Sequence, residues 1–213
     1  MEPSDVKPEG STDSYLAMVS RSRHVLRDSA ASGVHRQPAR MGDGSNHEES
    51  NCVKALVVYY SRTGNTKLVG NEVAAALGAH VEELTDRKNR QGVMGWMNSG
   101  SDARRKRLAD LEPAVHDPAA FDLVVLGGPV WAFTICSPTR TYALTHKGRF
   151  KRVAFMCTLG DYKFAEKAFA ELGEASAMEP VATFALSEGD IRDDHSEALS
   201  EFVATLTAHI QSQ

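Results

Sequence analysis

The sequence predicts an α/β fold, namely a three-layer, doubly wound arrangement around five parallel strands. From residue 53 onward, short apolar runs rich in β-branched residues alternate with segments of helical period. Most of these runs carry no regularly alternating polar face, which is typical of strands buried on both sides. Strands of this kind, separated by amphipathic helices, form a parallel sheet covered by helices on each face.

Five apolar runs are predicted to be strands: Val53–Tyr59, His80–Leu84, Leu123–Gly127, Val153–Cys157 and Val181–Leu186. Three segments have apolar residues at helical spacing and are predicted to be helices: Thr66–Leu77, Phe164–Leu172 and His195–Ile210. Between Thr85 and Pro118 the pattern is irregular. We expect a loop there, followed by a short helix around Ser101–Leu111.

The first fifty residues differ in composition from the rest of the chain. They are rich in Ser, Gly, Pro, Arg and acidic residues and contain few apolar ones. Such a segment cannot bury enough apolar surface to fold, so residues 1–50 are predicted to be a disordered N-terminal extension and residues 51–213 the folded domain. The Arg- and Ser-rich middle faintly suggests an organelle transit peptide, but Glu2, Asp5, Glu9 and Asp13 argue against one. An upstream start codon, with Met41 as the real start, is a further alternative.

Net charge, cysteine content and the length of apolar runs argue against several classes of protein. The formal net charge of −4 is not that of a protein held to nucleic acid by its electrostatic field. The three cysteines are widely spaced and form no C-x-x-C pair, so neither a disulfide framework nor a zinc site is indicated, and we expect a reducing, cytoplasmic setting. No apolar run approaches the roughly 18 residues of a membrane span. Nothing in the sequence indicates the oligomeric state.

The loop that connects the first predicted strand to the first predicted helix has the sequence Ser61-Arg62-Thr63-Gly64-Asn65-Thr66. Small hydroxyl and amide side chains, one glycine and a helix start bring several donors to one point, and the helix dipole favours negative charge there. Neither G-x-G-x-x-G nor a glycine-lysine pair is present in the loop. The sequence therefore predicts a binding site for one compact phosphate group, without magnesium.

Two further loops follow predicted strands. Gly127 to Pro138 combines glycines and prolines with two aromatic residues, and Thr158 to Tyr162 contains a glycine, an acid and an aromatic residue. In an open parallel sheet, ligands bind outside the carboxyl ends of the strands. A loop of the first kind can present backbone N–H groups and an aromatic ring to a flat heterocycle.

These motifs together resemble the flavodoxin family: the six-residue loop after the first strand, Gly128-Pro129-Val130-Trp131 after the third and Leu159-Gly160-Asp161-Tyr162 after the fourth. The resemblance covers about residues 53 to 210. It implies the strand order 2-1-3-4-5 and FMN at the point where that order reverses. The periodicity of the sequence supports only the parallel sheet.

The resemblance implies that the first loop holds the FMN phosphate while Arg62 points outward. It also implies that the second loop lines the isoalloxazine ring, that the third closes its other side, and that Asp161 lowers the potential of the last electron. The residues assigned to FMN are Ser61, Thr63, Gly64, Asn65, Thr66, Gly128, Pro129, Val130, Trp131, Ala132, Phe133, Leu159, Gly160, Asp161 and Tyr162.

Plainer interpretations remain open for each motif. The first loop is alternatively a simple turn with Asn65 or Thr66 as the helix N-cap. Trp131 and Phe133 are alternatively aromatics that cover the sheet edge. Asp161 also suits a helix cap and Tyr162 suits packing on a helix, and the cysteines lack the loop position that a phosphatase nucleophile requires.

Charge favours an enzyme over a dedicated electron carrier. Of the 28 acids and 24 bases, 8 and 6 fall in residues 1–50, which leaves 20 acids and 18 bases in the domain. This balance is less acidic than is usual for the electron carriers of the resembled family. We therefore expect an FMN-dependent oxidoreductase that passes electrons from NAD(P)H or a reductase to a quinone or another acceptor. The alternatives are a non-enzymatic electron-transfer flavodoxin with a redox partner protein, or a flavin-free interaction module.

The run from Arg87 to Arg107 is locally basic. It is interpreted either as a solvated helix face or as a docking patch for an acidic partner or a nicotinamide dinucleotide phosphate.

Overall fold

The structure, a computed structural model, describes residues 54–88 and 99–211. The predicted disorder of residues 1–50 lies outside this range. The strands are β1 (Ala55–Tyr59), β2 (His80–Glu83), β3 (Leu123–Trp131), β4 (Thr134–Ile135), β5 (Val153–Leu159) and β6 (Thr183–Ser187). The helices are α1 (Asn65–Leu77), α2 (Ser137–Thr145), α3 (Ala165–Ser176), α4 (Glu188–Arg192) and α5 (Ser196–Gln211). Residues 99–104 are also helical, and Pro118–Ala120 and Tyr162–Phe164 form 3-10 turns.

Five strands pair side by side in the order β2-β1-β3-β5-β6, and all of these pairs are parallel. Counting only these five strands, the order is 2-1-3-4-5, so the predicted fold class and strand order are confirmed. The short strand β4 pairs antiparallel to the end of β3. Because β1, β3 and β5 are neighbours, the loops that leave their carboxyl ends meet at the centre of one sheet edge.

The sheet is buried on both faces, as predicted. One apolar core contains Leu56 and Val58 together with residues of α2 and α3. The other contains Val57 and Tyr59 together with residues of α1 and α5. Alternate residues of one strand thus enter opposite cores, which gives the three layers. Strand β2 is the exception: it is an edge strand, and three of its four residues are exposed.

The predicted end of the third strand was wrong. β3 continues to Trp131, four residues beyond its predicted end at Gly127, and then turns into β4. The two glycines belong to the sheet because a Cβ atom on Gly127 would lie 2.3 Å from Met156 Cε, and one on Gly128 would lie 2.4 Å from Thr139 Oγ1. Gly127 thus leaves room for the Met156 side chain of the neighbouring strand, and Gly128 allows α2 to pack closely on the sheet, so neither glycine marks a turn.

Helices α2 and α4 were not predicted, and the expected helix at Ser101–Leu111 is shorter and lies earlier. Residues 99–104 are helical, and Lys106, with a φ of 52°, turns the chain. Leu111 then forms an isolated bridge with Asp86. The basic residues after the helix therefore lie on an irregular segment.

Leu206 provides a test of this packing. Its side chain in α5 is fully buried in the core with Phe202. Leu206→Ala should lower the free energy of unfolding by about 2–5 kcal/mol, because it removes apolar contacts and leaves a cavity. Leu108→Ala, at a side chain that is 67% exposed, should change it by less than about 0.5 kcal/mol. Urea denaturation of both variants measures the difference, and equal effects would contradict the placement of α5.

Candidate functional site

The three predicted loops meet in one cavity of about 130 Å³ at the carboxyl edge of the sheet. Each loop contributes to its wall, as the resemblance implied. The residues that line the cavity are Arg62, Thr63, Asn65, Thr66, Pro129, Val130, Trp131, Thr158, Leu159, Gly160 and Glu188. This convergence follows from the parallel pairing of β1, β3 and β5.

The first loop leaves the N-terminus of α1 open. Gly64 is the N-cap residue with a φ of 102°, a conformation that favours glycine, and no side chain caps the helix. The backbone N–H of Gly64 donates to Ser61 Oγ across the turn, at 3.2 Å. The alternative in which Asn65 or Thr66 caps the helix is therefore wrong. An uncapped helix start beside a cavity is a suitable position for an anion.

Thr66 ties the first loop to the third. Its hydroxyl shares a 2.7 Å hydrogen bond with the hydroxyl of Thr158, and both residues are buried. The pair spans β5 and the first turn of α1 at the base of the cavity. The sequence placed Thr158 at the start of the third predicted loop but did not assign it to the ligand.

Arg62 corrects one expectation. It was expected to point outward, but it lines the cavity. Its Nε atom is buried and has no hydrogen-bond partner among residues 54–88 and 99–211. Burial of a cationic donor without a partner is costly, so this atom favours an anionic or polar ligand in the cavity.

The second loop divides between two cavities. Pro129, Val130 and Trp131 line the small one, while Val130, Trp131, Ala132 and Phe133 line a neighbouring cavity of about 610 Å³. Gly128 lies inside the sheet, where it packs against Thr139 and Cys136. The Trp131 ring is largely buried and meets Tyr60 edge-on, with ring centroids 5.5 Å apart.

A buried carboxylate anchors the hairpin between β3 and β4. Glu171 of α3 accepts hydrogen bonds from the Thr134 hydroxyl and, at 3.3 Å, from the backbone N–H of Ile135. Both Glu171 and Thr134 are buried. The hairpin turn itself is made by Ala132 and Phe133, which have φ angles of 47° and 71°. Glu171 therefore stabilises the wall that the two cavities share.

The third loop confirms two of the plainer interpretations. Asp161 caps the 3-10 turn at Tyr162–Phe164 by accepting from the backbone N–H of Lys163, and it pairs with Lys163 Nζ at 2.6 Å. These hydrogen bonds to Lys163 hold the pKa of Asp161 below its usual value. The Tyr162 hydroxyl donates to Asp190 of α4, so this side chain packs on a helix. Leu159 and Gly160 are the residues of this loop's predicted set that face the small cavity.

The described cysteines are structural. Cys136 and Cys157 are buried, and Cys136 Sγ lies 3.2 Å from the Thr139 hydroxyl. Burial raises the pKa of Cys157 above its usual value, which disfavours the reactive thiolate. Their position does not support a nucleophile at the site.

The Thr134–Glu171 anchor can be tested by removing the donor alone. Thr134→Val keeps the shape of the side chain but leaves the buried Glu171 with one hydrogen bond fewer, and it should lower the free energy of unfolding by about 1.5–3 kcal/mol. Thr205→Val, at an exposed position of α5, is the matched control and should stay within about 0.5 kcal/mol. Chemical denaturation gives both values. If the two variants were equally stable, the Thr134–Glu171 hydrogen bond would not be what stabilises the hairpin.

Among the helices of residues 54–88 and 99–211, none has both the length and the apolar character needed to cross a membrane.

No protein-family model matches the sequence, and no curated protein matches it. Solved structures do match. A flavoprotein from Lactobacillus acidophilus NCFM, crystallised in complex with FMN, has a TM-score of 0.55 and 19% identity, over 70% of this chain and 98% of that one. A protein from Bacteroides uniformis ATCC 8492, provisionally named a flavoprotein, has a TM-score of 0.58 and 20% identity, over 71% and 98%. With the strand order described above, these similarities confirm the predicted resemblance at the level of the fold: the chain has a flavodoxin-like fold.

Proposed function

We propose that this protein binds FMN at the carboxyl edge of the sheet and acts as a redox flavoprotein. The observation that carries this proposal is the convergence of the loops after β1, β3 and β5 on one cavity, beside an uncapped helix start. The structural similarity to a flavoprotein that was crystallised with FMN supports the choice of ligand.

The small cavity fits the phosphate end of FMN. Thr63, Asn65 and Thr66 supply neutral hydroxyl and amide donors, and α1 presents its open N-terminus to the same space. The buried, unpartnered Nε of Arg62 adds a cationic donor. Charged hydrogen bonds of this kind are stronger than neutral ones. The donor set therefore suits a phosphate monoester, with Arg62 added to the residues assigned from the sequence.

The small cavity alone does not fit the whole cofactor. Its volume of about 130 Å³ is below the roughly 300–1,000 Å³ of a typical ligand pocket. The isoalloxazine ring would lie outside it, between the second loop at Pro129 to Trp131 and the third at Leu159 and Gly160. Phe133 and Tyr162, which are both exposed, lie on these loops beyond the cavity.

FMN, when bound, supplies the electron-transfer chemistry, and the protein supplies binding and electrostatics. The ion pair between Asp161 and Lys163 offsets the carboxylate charge near the third loop. The expected lowering of the flavin potential by Asp161 is therefore smaller than a lone carboxylate would give.

We favour an oxidoreductase that passes electrons from NAD(P)H or a reductase to a quinone or another acceptor. Support comes from the low net acidity of the domain and from the cavity of about 610 Å³ that adjoins the proposed flavin site and is large enough for a second substrate. The alternative is an electron-transfer flavodoxin that carries electrons to a redox partner protein. A flavin-free interaction module is the third candidate, and a flavin absorption spectrum of the protein as isolated excludes it.

The phosphate-binding site can be tested by comparing FMN with riboflavin, which lacks the phosphate. Thr63→Ala combined with Thr66→Ala should weaken FMN binding by roughly 2–4 kcal/mol, because two hydrogen bonds to a charged group are lost. Riboflavin binding should change much less. Thr205→Ala combined with Thr207→Ala, on the far end of α5, is the control pair. Flavin fluorescence titration measures all the affinities, and unchanged FMN affinity in the first variant would remove the phosphate assignment.

Steady-state oxidation of NADPH or NADH distinguishes an oxidoreductase from an electron-transfer flavodoxin. The FMN-loaded protein, mixed with NADPH or NADH and a quinone, should oxidise the nicotinamide at a steady rate without an added reductase. A pure carrier should show no such rate until a reductase is supplied. The absorbance of the nicotinamide at 340 nm gives the rate, and protein without flavin is the blank.

A further inference from the structure

The larger cavity is lined by apolar side chains and by two arginines. Its volume is about 610 Å³. It is lined by Val130, Trp131 and the tip of the β3–β4 hairpin, and by Gly100, Ser101, Arg104 and Arg105. The volume lies within the range of small-molecule pockets. The cavity shares Val130 and Trp131 with the small cavity that we assign to the FMN phosphate, so a ligand in it would lie beside the flavin.

The two arginines differ from the bases that surround them. Lys88 and Arg107 pair with the buried Asp102, at 2.6 and 3.6 Å, and Lys106 lies 3.7 Å from Glu174. These three bases therefore have structural partners. Arg104 and Arg105 are exposed, and no carboxylate of residues 54–88 and 99–211 lies within ion-pair distance of either. Within the described chain, their charge is available to the cavity.

The hairpin tip presents an aromatic ring to the same cavity. Phe133 is 55% exposed, although its ring is large and apolar. It has a φ of 71° and follows Ala132 at 47°, a pair of left-handed conformations that non-glycine residues rarely adopt. The ring rests on Phe164, with centroids 4.5 Å apart. The pairing of Trp131 with Thr134 closes this turn, so an exposed phenyl group is held in a defined place on a strained backbone, as is common in ligand clamps.

We propose that this cavity binds a planar aromatic molecule that carries a negatively charged group, with the ring against Phe133 and the charge against Arg104 and Arg105. The redox role of this ligand rests on the proposed function: when FMN is bound, the ligand is the donor or acceptor that exchanges electrons with the flavin. Two sources share this chemistry: a nicotinamide dinucleotide phosphate and a quinone with an acidic substituent. Phe133 and both arginines line the same cavity, which favours a binding site over a merely solvated helix face.

The test measures binding rather than turnover. Full-length protein, as isolated and after saturation with FMN, is dialysed to equilibrium against anthraquinone-2-sulfonate or the uncharged 2-(hydroxymethyl)anthraquinone. A second arm compares NADPH with NADH, which lacks the 2′-phosphate. The variant is Arg104→Gln combined with Arg105→Gln. The control, Lys147→Gln combined with Lys167→Gln, removes the same charge from two exposed positions elsewhere.

At least one charged probe should bind about tenfold or more tightly than its uncharged or less charged counterpart. The arginine variant should lose that preference, since each exposed guanidinium contributes about tenfold or less after screening. The lysine control should keep it, and FMN affinity should be equal in all three proteins. The arm that shows the preference identifies the source as dinucleotide or quinone.

Three results would overturn the inference. Charged and uncharged probes could bind equally, both double variants could weaken binding alike, or the arginine variant could lose FMN, in which case the cavity belongs to the flavin. Failure of the proposed function has a separate signature, because a protein that does not bind FMN but still selects the charged probe through Arg104 and Arg105 retains this site without the redox role.

Discussion

Parallel pairing of β1, β3 and β5 is the constraint on which the rest of the structure depends. Tyr59, the last residue of β1, is in register with Gly127 and through it with Met156, and β3 and β5 continue past this level to Trp131 and Leu159. Because the sheet is buried on both faces, a one-residue slip would move each strand's side chains into the opposite core. The register is therefore fixed by packing, and it places three loops that are distant in sequence around one cavity.

Close contact of β3 with its neighbours is the second condition, and it explains why glycines lie at the centre of the sheet. A side chain at Gly127 would clash with Met156, and one at Gly128 would clash with Thr139 and Cys136. The Thr139 hydroxyl can in turn donate to the carbonyl of Gly127, at 2.7 Å. This contact holds the start of α2 against β3. The hairpin that lines both cavities is then fixed at its base by this contact and at β4 by Glu171.

The sequence predicted the layers because the apolar period is a local signal, and the resemblance carried by the loop motifs implied the order of the parallel strands. It did not predict β4 or α2, because Gly127-Gly128-Pro129 has the composition of a turn and only the partners Met156 and Thr139 show otherwise. Of the residues assigned in the first loop, Thr63, Asn65 and Thr66 line the small cavity, whereas the direction of Arg62 was not predicted, since it depends on what packs beside the side chain. Glu188 was missed for the same reason: its role exists only once α4 lies next to the first loop.

The distribution of cations argues that net charge alone is a poor guide to the function of this chain. The domain has 20 acids and 18 bases and looks nearly neutral, yet its bases differ in what they contact. Lys88 and Arg107 are held by the buried Asp102, whereas the Nε of Arg62 has no partner within the described chain and lies at one cavity. Since an ion pair largely cancels the field of both partners, the cations left over determine the local potential. Arg62, Arg104 and Arg105, for which no ion pair is found among residues 54–88 and 99–211, line the cavities where the loops converge, which is why we assign anionic ligands to that edge.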